Sequence, residues 1–327
     1  MSVYIVKRLL LAIPTLLIVA IIVFFSIRLI PGDVIDLMLA EQYAGATPYD
    51  RPRLEHELGL DMPIYIQFGR WLGFLSTPDE GYDGILQGNL GKSLWTERLV
   101  TTELANRFPV SLELGFLALI IGQIIALPIG IYSAVRQDTI GDYAGRSFAV
   151  FCIAVPGFWL ATMVLVFPSI WWGWSPQMRY IPFLEDPVGN LGQFFIPAII
   201  MGMMLSGTTM RMTRTMMLEM LRQDYIRTSW AKGLKESTVV LKHALRNAFI
   251  PVVTIIGMQL PIMIGGSVIM ENIFCLPGVG NYLMQVITKR DYIPLSGLNL
   301  VMATLVLLVN LFIDLTYAYL DPRVHYR

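Results

Sequence analysis

The segment DYIRTSWAKGLKESTVVLKHALRNAFIP, Asp224 to Pro251, decides how this chain is read. It is basic and polar, is interrupted by Gly233, and lies between two long apolar runs. Ile226, Trp230 and Leu234 recur at i, i+4 and i+8, which predicts a short helix over Asp224 to Lys232 with one apolar face, Arg227, Lys232 and Lys235 lying largely elsewhere. Gly233 comes where such a helix needs a left-handed residue to stop. A second helix is expected from about Ser237 to Phe249, with Leu241, Ala244, Leu245 and Ala248 as its stripe, and Pro251 is expected to open the next apolar run. The residues alone leave two readings open: an amphipathic hairpin resting on a membrane surface, or a docking element for another protein.

The flanking runs set the fold class. Hydrophobic residues make up 55% of the 327-residue chain and charged ones 15%, with a mean hydropathy of +0.60. Soluble domains carry about 45–50% apolar residues, so an all-α integral membrane protein is expected. A helix needs about 20 apolar residues to cross the hydrocarbon core. Six windows supply them: about Leu9 to Ile30, Leu112 to Val135, Phe148 to Trp172, Phe194 to Met212, Val252 to Phe274 and Leu298 to Leu320. The first follows Lys7 and Arg8 as a signal peptide would, but it is longer than an h-region and no small-x-small cleavage site follows, so it is expected to remain as a span.

Direction follows from Lys and Arg in the short loops. With the N-terminus inside, the inner segments hold Lys7, Arg8, Arg136, Arg146, Arg211, Arg214, Arg222, Arg227 and the basic residues that follow to Arg246, then Arg323 and Arg327. The short outer loops hold only Arg179, Lys289 and Arg290. Both termini are therefore predicted cytoplasmic. The organisation expected is a first span over 1–30, an extracytoplasmic region over 31–108 and a five-helix core over 109–327 with its inner loop at about 213–251. The outer region is acidic, with Asp33, Asp36, Glu41, Glu55 and Glu57, and is expected to fold as short helices and turns over the helix ends. Its piece PRLEHELGLDMPIYIQFGRWL suits two short amphipathic helices broken at Gly59 and Pro63. Trp171, Trp172 and Trp174 sit at a span end, where interfacial anchors belong.

Several chemistries are excluded. GNLGKS, Gly88 to Ser93, ends like a phosphate loop, but Leu86 stands where its first glycine must be, and the segment falls on the outer face. The three histidines, His56, His243 and His325, are divided between the two faces, too few for a catalytic metal site. Cys152 and Cys275 have no CxxC spacing and read as small buried apolar residues. No enzyme, bound cofactor or metal is expected, and 24 basic against 24 acidic residues leave no excess for nucleic acid. Intramembrane polar groups are the remaining place for chemistry. Asp314 in the sixth span, with Asn310 at i−4, is expected as a structural polar group that pairs with a basic residue or a backbone donor to lock helices, with a direct transport role as the alternative, and Glu271 lies near the outer end of the fifth. Met203, Met204, Gly207, Gln259, Gly265 and Gly266 suit either a translocation path or close helix packing.

The chain resembles the binding-protein-dependent ABC importer permeases of the dipeptide, oligopeptide and nickel type. Their inner EAA loop looks like Ser229-Trp230-Ala231-Lys232-Gly233 followed by HALRNAFIP, His243 to Pro251. Trp230 stands where the family usually has a small residue, and Lys235 where a capping Ser is common. The likeness extends to the opening YIVKRLLLAIPTLLIVAIIVFFSIRLIPGD (Tyr4 to Asp33), LGLDMPIYIQ (Leu58 to Gln67), GNLGKS, GGSVIMENIFCLPGVG (Gly265 to Gly280), KRDYIP (Lys289 to Pro294) and DPRVHY (Asp321 to Tyr326).

That resemblance implies the type I permease fold in a prokaryotic plasma membrane. It implies a second homologous permease, two cytoplasmic ABC ATPase subunits carrying ATP and Mg, and an extracytoplasmic solute-binding protein. The inner hairpin becomes a coupling helix seated in a cleft of an ATPase, with Tyr225, Arg227, Ala231, Lys232, Gly233 and Leu234 as its docking surface. The cargo implied is a di- or oligopeptide, with nickel, opines or oligosaccharides as alternatives within the family. Two other readings predict different behaviour: an ion-coupled carrier needs no ATPase, and a membrane scaffold moves no solute.

Overall fold

A computed structural model describes residues 2–29, 52, 55–56, 60–76, 81–175 and 179–320. Ten helices of eight or more residues carry the described chain: α1 (Ser2–Arg28), α2 (Ile64–Leu72), α3 (Val100–Val135), α4 (Ile140–Ala154), α5 (Gly157–Trp172), α6 (Pro187–Leu221), α7 (Asp224–Ala231), α8 (Leu245–Ile273), α9 (Val279–Thr288) and α10 (Tyr292–Leu320). Strand pairing among the described residues is limited to one isolated bridge, Lys92 with Leu99. The all-helical class expected from the apolar runs is what forms.

Five of the helices are long and apolar enough to cross a membrane, and α4 with α5 supplies a sixth crossing when the pair is taken as one span. That third span departs from the straight helix expected over Phe148 to Trp172. It breaks at Val155 and Pro156, and its arms meet at 93°. Pro156 has no N–H to donate and pushes the residue before it out of the α region; Val155 accordingly sits at ψ 122. Pro251 also departs from expectation. It lies inside α8 rather than at its start, because neighbouring helices can satisfy the backbone group that an intramembrane proline frees. The 36 residues of α3 extend to about 54 Å at 1.5 Å per residue, so its ends rise beyond a hydrocarbon core of about 30 Å.

The chain forms two compact units. One comprises the described residues of Met1–Pro109 and Asn281–Leu311. Here Phe24 of α1 is fully buried and meets Phe68 and Trp71 of α2 at ring separations of 5.1 and 5.3 Å. This is one of the two amphipathic helices expected in the outer region; the other falls outside the described residues. Arg28 lies 3.5 Å over the Phe24 ring and donates to Gln67 Oε1 at 2.9 Å through Nη2, so the cation at the end of α1 is covered by α2. Trp71 Nε1 donates to Ser296 Oγ at 3.2 Å, tying α2 to α10.

The phosphate-loop look-alike belongs to the same unit and acts as a clasp. Ser93 Oγ donates to Asp291 Oδ2 at 2.6 Å and accepts the N–H groups of Trp95 and Thr96. Gly91 takes φ +83 with its α-carbon so close to Ile293 that an added Cβ would lie 2.3 Å from Cγ2. GNLGKS and KRDYIP, far apart in sequence, are thus two halves of one structure. Burial pushes the Asp291 carboxyl above the ordinary carboxylate range, against the pull of Ser93 and the Leu94 and Trp95 amides.

The second unit comprises Val110–Gly280 with the described part of Phe312–Arg323. Its core joins α3, α5, α6 and α8 through Val110, Leu114, Ala161, Phe194, Met201, Met263 and Met270. Small residues bring α3 and α6 into backbone contact: a Cβ on Gly122 would lie 2.9 Å from the Gly202 carbonyl oxygen. Without a hydrophobic drive between helices in lipid, such close packing supplies the attraction. At the turn after α8, buried Glu271 accepts from Ser111 Oγ at 2.7 Å, and its carboxylate lies against Gly278 so closely that a Cβ there would be 2.3 Å away. The glycines of ENIFCLPGVG leave room for that carboxylate at the start of α9, where a negative charge suits the helix dipole.

Candidate functional site

The inner segment is built as a short helix with a hard stop. In α7 the Gly233 N–H bonds to the Trp230 carbonyl at 2.9 Å and the Leu234 N–H to the Ser229 carbonyl at 3.4 Å. Gly233 stands at φ +75. This pair of reversed bonds around a left-handed glycine is a Schellman ending, as the position of Gly233 predicted.

The face expected from Ile226, Trp230 and Leu234 is divided. Ile226 is fully buried in a cluster with Ala134, Met217, Val239, Val240, Ala244 and Ala248. Trp230 is 44% exposed and Leu234 37%. The helix ends at Ala231, so Leu234 is beyond it, and an i, i+4, i+8 stripe drifts around a helix of 3.6 residues per turn. Ile226 anchors α7 while Tyr225, Arg227, Trp230, Ala231, Lys232, Gly233 and Leu234 stay exposed. Tyr225 accepts a hydrogen bond from Asn247 Nδ2 at 3.0 Å, and Arg227 pairs with Asp224 at 3.3 Å. The proposed docking residues are thus each exposed, as is Trp230.

The second helix also differs from expectation. Glu236–Thr238 starts it, Val239–Ala244 is a π-helical stretch, and the helix runs on into α8 without a break. The wider π turn moves the buried face: Val239, Val240, Ala244 and Ala248 are buried, whereas Leu241 is 57% exposed. Periodicity at 3.6 could not show this, because a π turn brings residues five apart onto one face. Lys235 takes the N-cap position without a side-chain cap, as expected of a lysine where Ser is common.

A polar clamp behind α7 was not singled out by the sequence. Asp142, fully buried, accepts from Arg214 through both oxygens, Nε to Oδ1 and Nη2 to Oδ2, each at 2.8 Å. Arg146 approaches the same carboxylate at 3.4 Å, and the Asp138 N–H donates to it at 3.0 Å. Arg136, in the same turn, reaches Glu236 at 3.5 Å. The α3–α4 turn is thus tied both to α6, just before α7, and to the helix that follows α7. Asp142 three residues after the capping Thr139 was the available signal; its partner, seventy-two positions on, left none.

The suggested path residues lie on α6 (Met204, Gly207) and α8 (Gln259, Gly265, Gly266). Gly207 lets α6 touch α4, since a Cβ there would lie 2.8 Å from the Ala149 carbonyl oxygen. Gln259 is buried; its Nε2 donates to the Leu205 carbonyl at 2.9 Å and Thr209 Oγ1 at 3.0 Å, and Gln123 donates to its Oε1 at 3.3 Å. Met204 is 44% exposed, and Gly265 has open space around it. The surroundings of Gly266 and the Asp314 side chain are outside the described residues, and Asn310 is exposed. No group of three or more metal-ligating side chains forms among the described residues.

Comparison with known proteins adds to this geometry. The family model described as binding-protein-dependent transport system inner membrane component matches residues 126–326, and the model for the N-terminal part of such membrane components matches residues 1–115. A Brucella suis protein provisionally named a peptide transport system permease is 38% identical over 326 residues, covering 100% of both chains. The dipeptide transport system permease protein DppB of Escherichia coli K12 is 34% identical over 347 residues, covering 99% of each. In structure, a chain of the MetNI methionine ABC transporter, solved in inward-facing conformations, matches 68% of this chain and 97% of its own length, with a TM-score of 0.53 at 18% identity. That likeness shows a shared fold. By sequence over nearly its whole length, this multi-pass membrane protein belongs to the family of binding-protein-dependent transport system inner membrane components, the permease subunits of ABC importers.

Proposed function

We propose that this chain is one of two different permease subunits of an ATP-driven importer of di- or oligopeptides in a prokaryotic plasma membrane. The observation that carries the cargo reading is the end-to-end match to permeases named for peptide and dipeptide transport. In this reading a solute-binding protein outside delivers the peptide, and two ATPase subunits inside hold ATP and Mg. α7 seats in a cleft on one ATPase: Trp230 and Leu234 enter an apolar pocket and Arg227 and Lys232 meet an acidic rim. Ile226 and the Asp142–Arg214 clamp make the seat rigid, so closure of the ATPases is passed to α6 and α8 rather than absorbed by a loose loop. A conformational change of this sort needs a ligand that favours one state over the other, and ATP at the ATPases supplies the difference.

The test is reconstitution of the purified permease pair with its ATPases and binding protein in vesicles. Dipeptide uptake that requires ATP and is lost without the binding protein is expected. Uptake driven by a proton or sodium gradient without ATPases would overturn the reading.

A further inference from the structure

The second unit holds a pair of buried acceptors that the fold itself does not use. Asn190 of α6 is fully buried. Its Nδ2 donates to the Ile181 carbonyl at 3.0 Å and reaches Glu113 Oε2 of α3 at 3.5 Å. Asn190 Oδ1 and Glu113 Oε1 are both buried and, among the described residues, have no hydrogen-bond partner. Buried polar oxygens are nearly always paired, and leaving them bare costs free energy, most of all for a carboxylate. Two polar groups of the same helices are already committed. Ser111, two residues before Glu113, donates to Glu271 and accepts the Val279 N–H at 2.8 Å; Gln193 accepts the Ile181 N–H at 3.0 Å.

What the pair lacks is a donor with positive charge. Two oxygens, one of them a carboxylate, match the tetrahedral N–H groups of a primary ammonium, while the described residues offer too few ligating side chains for a divalent metal. The same stretch of α6 borders, through Gly189, Gly192, Gln193 and Ile196, a cavity of about 240 Å³ that Trp174 and Leu276 also line. We propose that Glu113 and Asn190 form a subsite that binds a primary ammonium group, and that in transport it receives the free amino terminus of the peptide. The second clause rests on the peptide reading above; the first does not.

Two measurements separate them. In the first, thermal unfolding of the purified complete transporter is followed with butylammonium chloride, butanol or potassium chloride. Stabilisation by butylammonium alone is expected; equal stabilisation by potassium, or none by the amine, overturns the subsite. Glu113→Gln should abolish the amine effect; a variant that keeps the effect also overturns the subsite. Should the variant fail to assemble, the three-solute comparison on the native protein still decides. In the second, ATP-driven uptake of alanyl-alanine by Glu113→Gln should fall about tenfold or more at low peptide concentration, as expected for loss of a charged hydrogen bond, with ATP hydrolysis retained. Normal uptake by that variant overturns the amino-terminus assignment, whereas absence of dipeptide uptake by the native transporter overturns the peptide reading and leaves the amine measurement standing.

Discussion

Ile226 and Trp230, one turn apart on α7, do opposite work, and substitution separates them. Ile226 is fully buried, so Ile226→Ala removes core contacts and should cost about 2–5 kcal/mol, seen as a lower unfolding temperature of the purified permease. Trp230 is 44% exposed, so Trp230→Ala should change stability by no more than about 0.5 kcal/mol yet weaken retention of the ATPase subunits on an affinity column. Unchanged retention would count against α7 as the docking element. Asp142 presents a third case. Removing its charge strands the Arg214 guanidinium, and breaking a buried pair this way costs about 3–5 kcal/mol. Asp142→Asn should therefore unfold well below the native protein, with the double change Asp142→Leu and Arg214→Met recovering much of the loss. The apolar character of Ile226 was legible in the sequence. Which of the two residues is covered was not, since exposure depends on Met217 and Val239 arriving from elsewhere in the chain.

One helix end and one helix interior set how the inner segment behaves. The stop after α7 depends on φ +75 at Gly233, and a Cβ there would touch nothing. Substitution is therefore opposed by backbone strain alone, about 1–3 kcal/mol for a residue ill-suited to that region, and most severely for a β-branched one. Gly233→Val should leave the protein in the membrane but raise the ATP hydrolysed per peptide imported, while Gly233→Asn, which tolerates the left-handed region, should stay near native; equal ratios for all three would remove the hinge from the mechanism. The glycine stop was readable because its cause is local. The π-helical stretch Val239–Ala244 and the 93° break between α4 and α5 were not. Hydropathy averages over both, and Pro156 can break a helix or be carried within one, as Pro251 and Pro261 are carried in α8.

On the scale of the whole molecule, the two native cysteines provide a test of orientation. Cys152 is buried as expected, whereas Cys275, expected to be buried too, is exposed in the turn after α8, and the charge rule puts it on the outer side. A membrane-impermeant maleimide added to intact cells should label the permease once, at Cys275, and Cys275→Ser should abolish the label; labelling only after the membrane is opened would invert the topology. The number and approximate position of the spans, their helical class and the stop at Gly233 were determined by the sequence alone, because each follows from composition or spacing over one contiguous stretch. The tertiary structure decided what is joined across distance: Asp142 with Arg214, Ser93 with Asp291, Gln259 with Leu205 and Thr209, and the bare oxygens of Glu113 and Asn190. Such pairings come from how long helices cross, and a polar residue in an apolar run reads the same in sequence whether its partner is a neighbouring helix, water or a ligand.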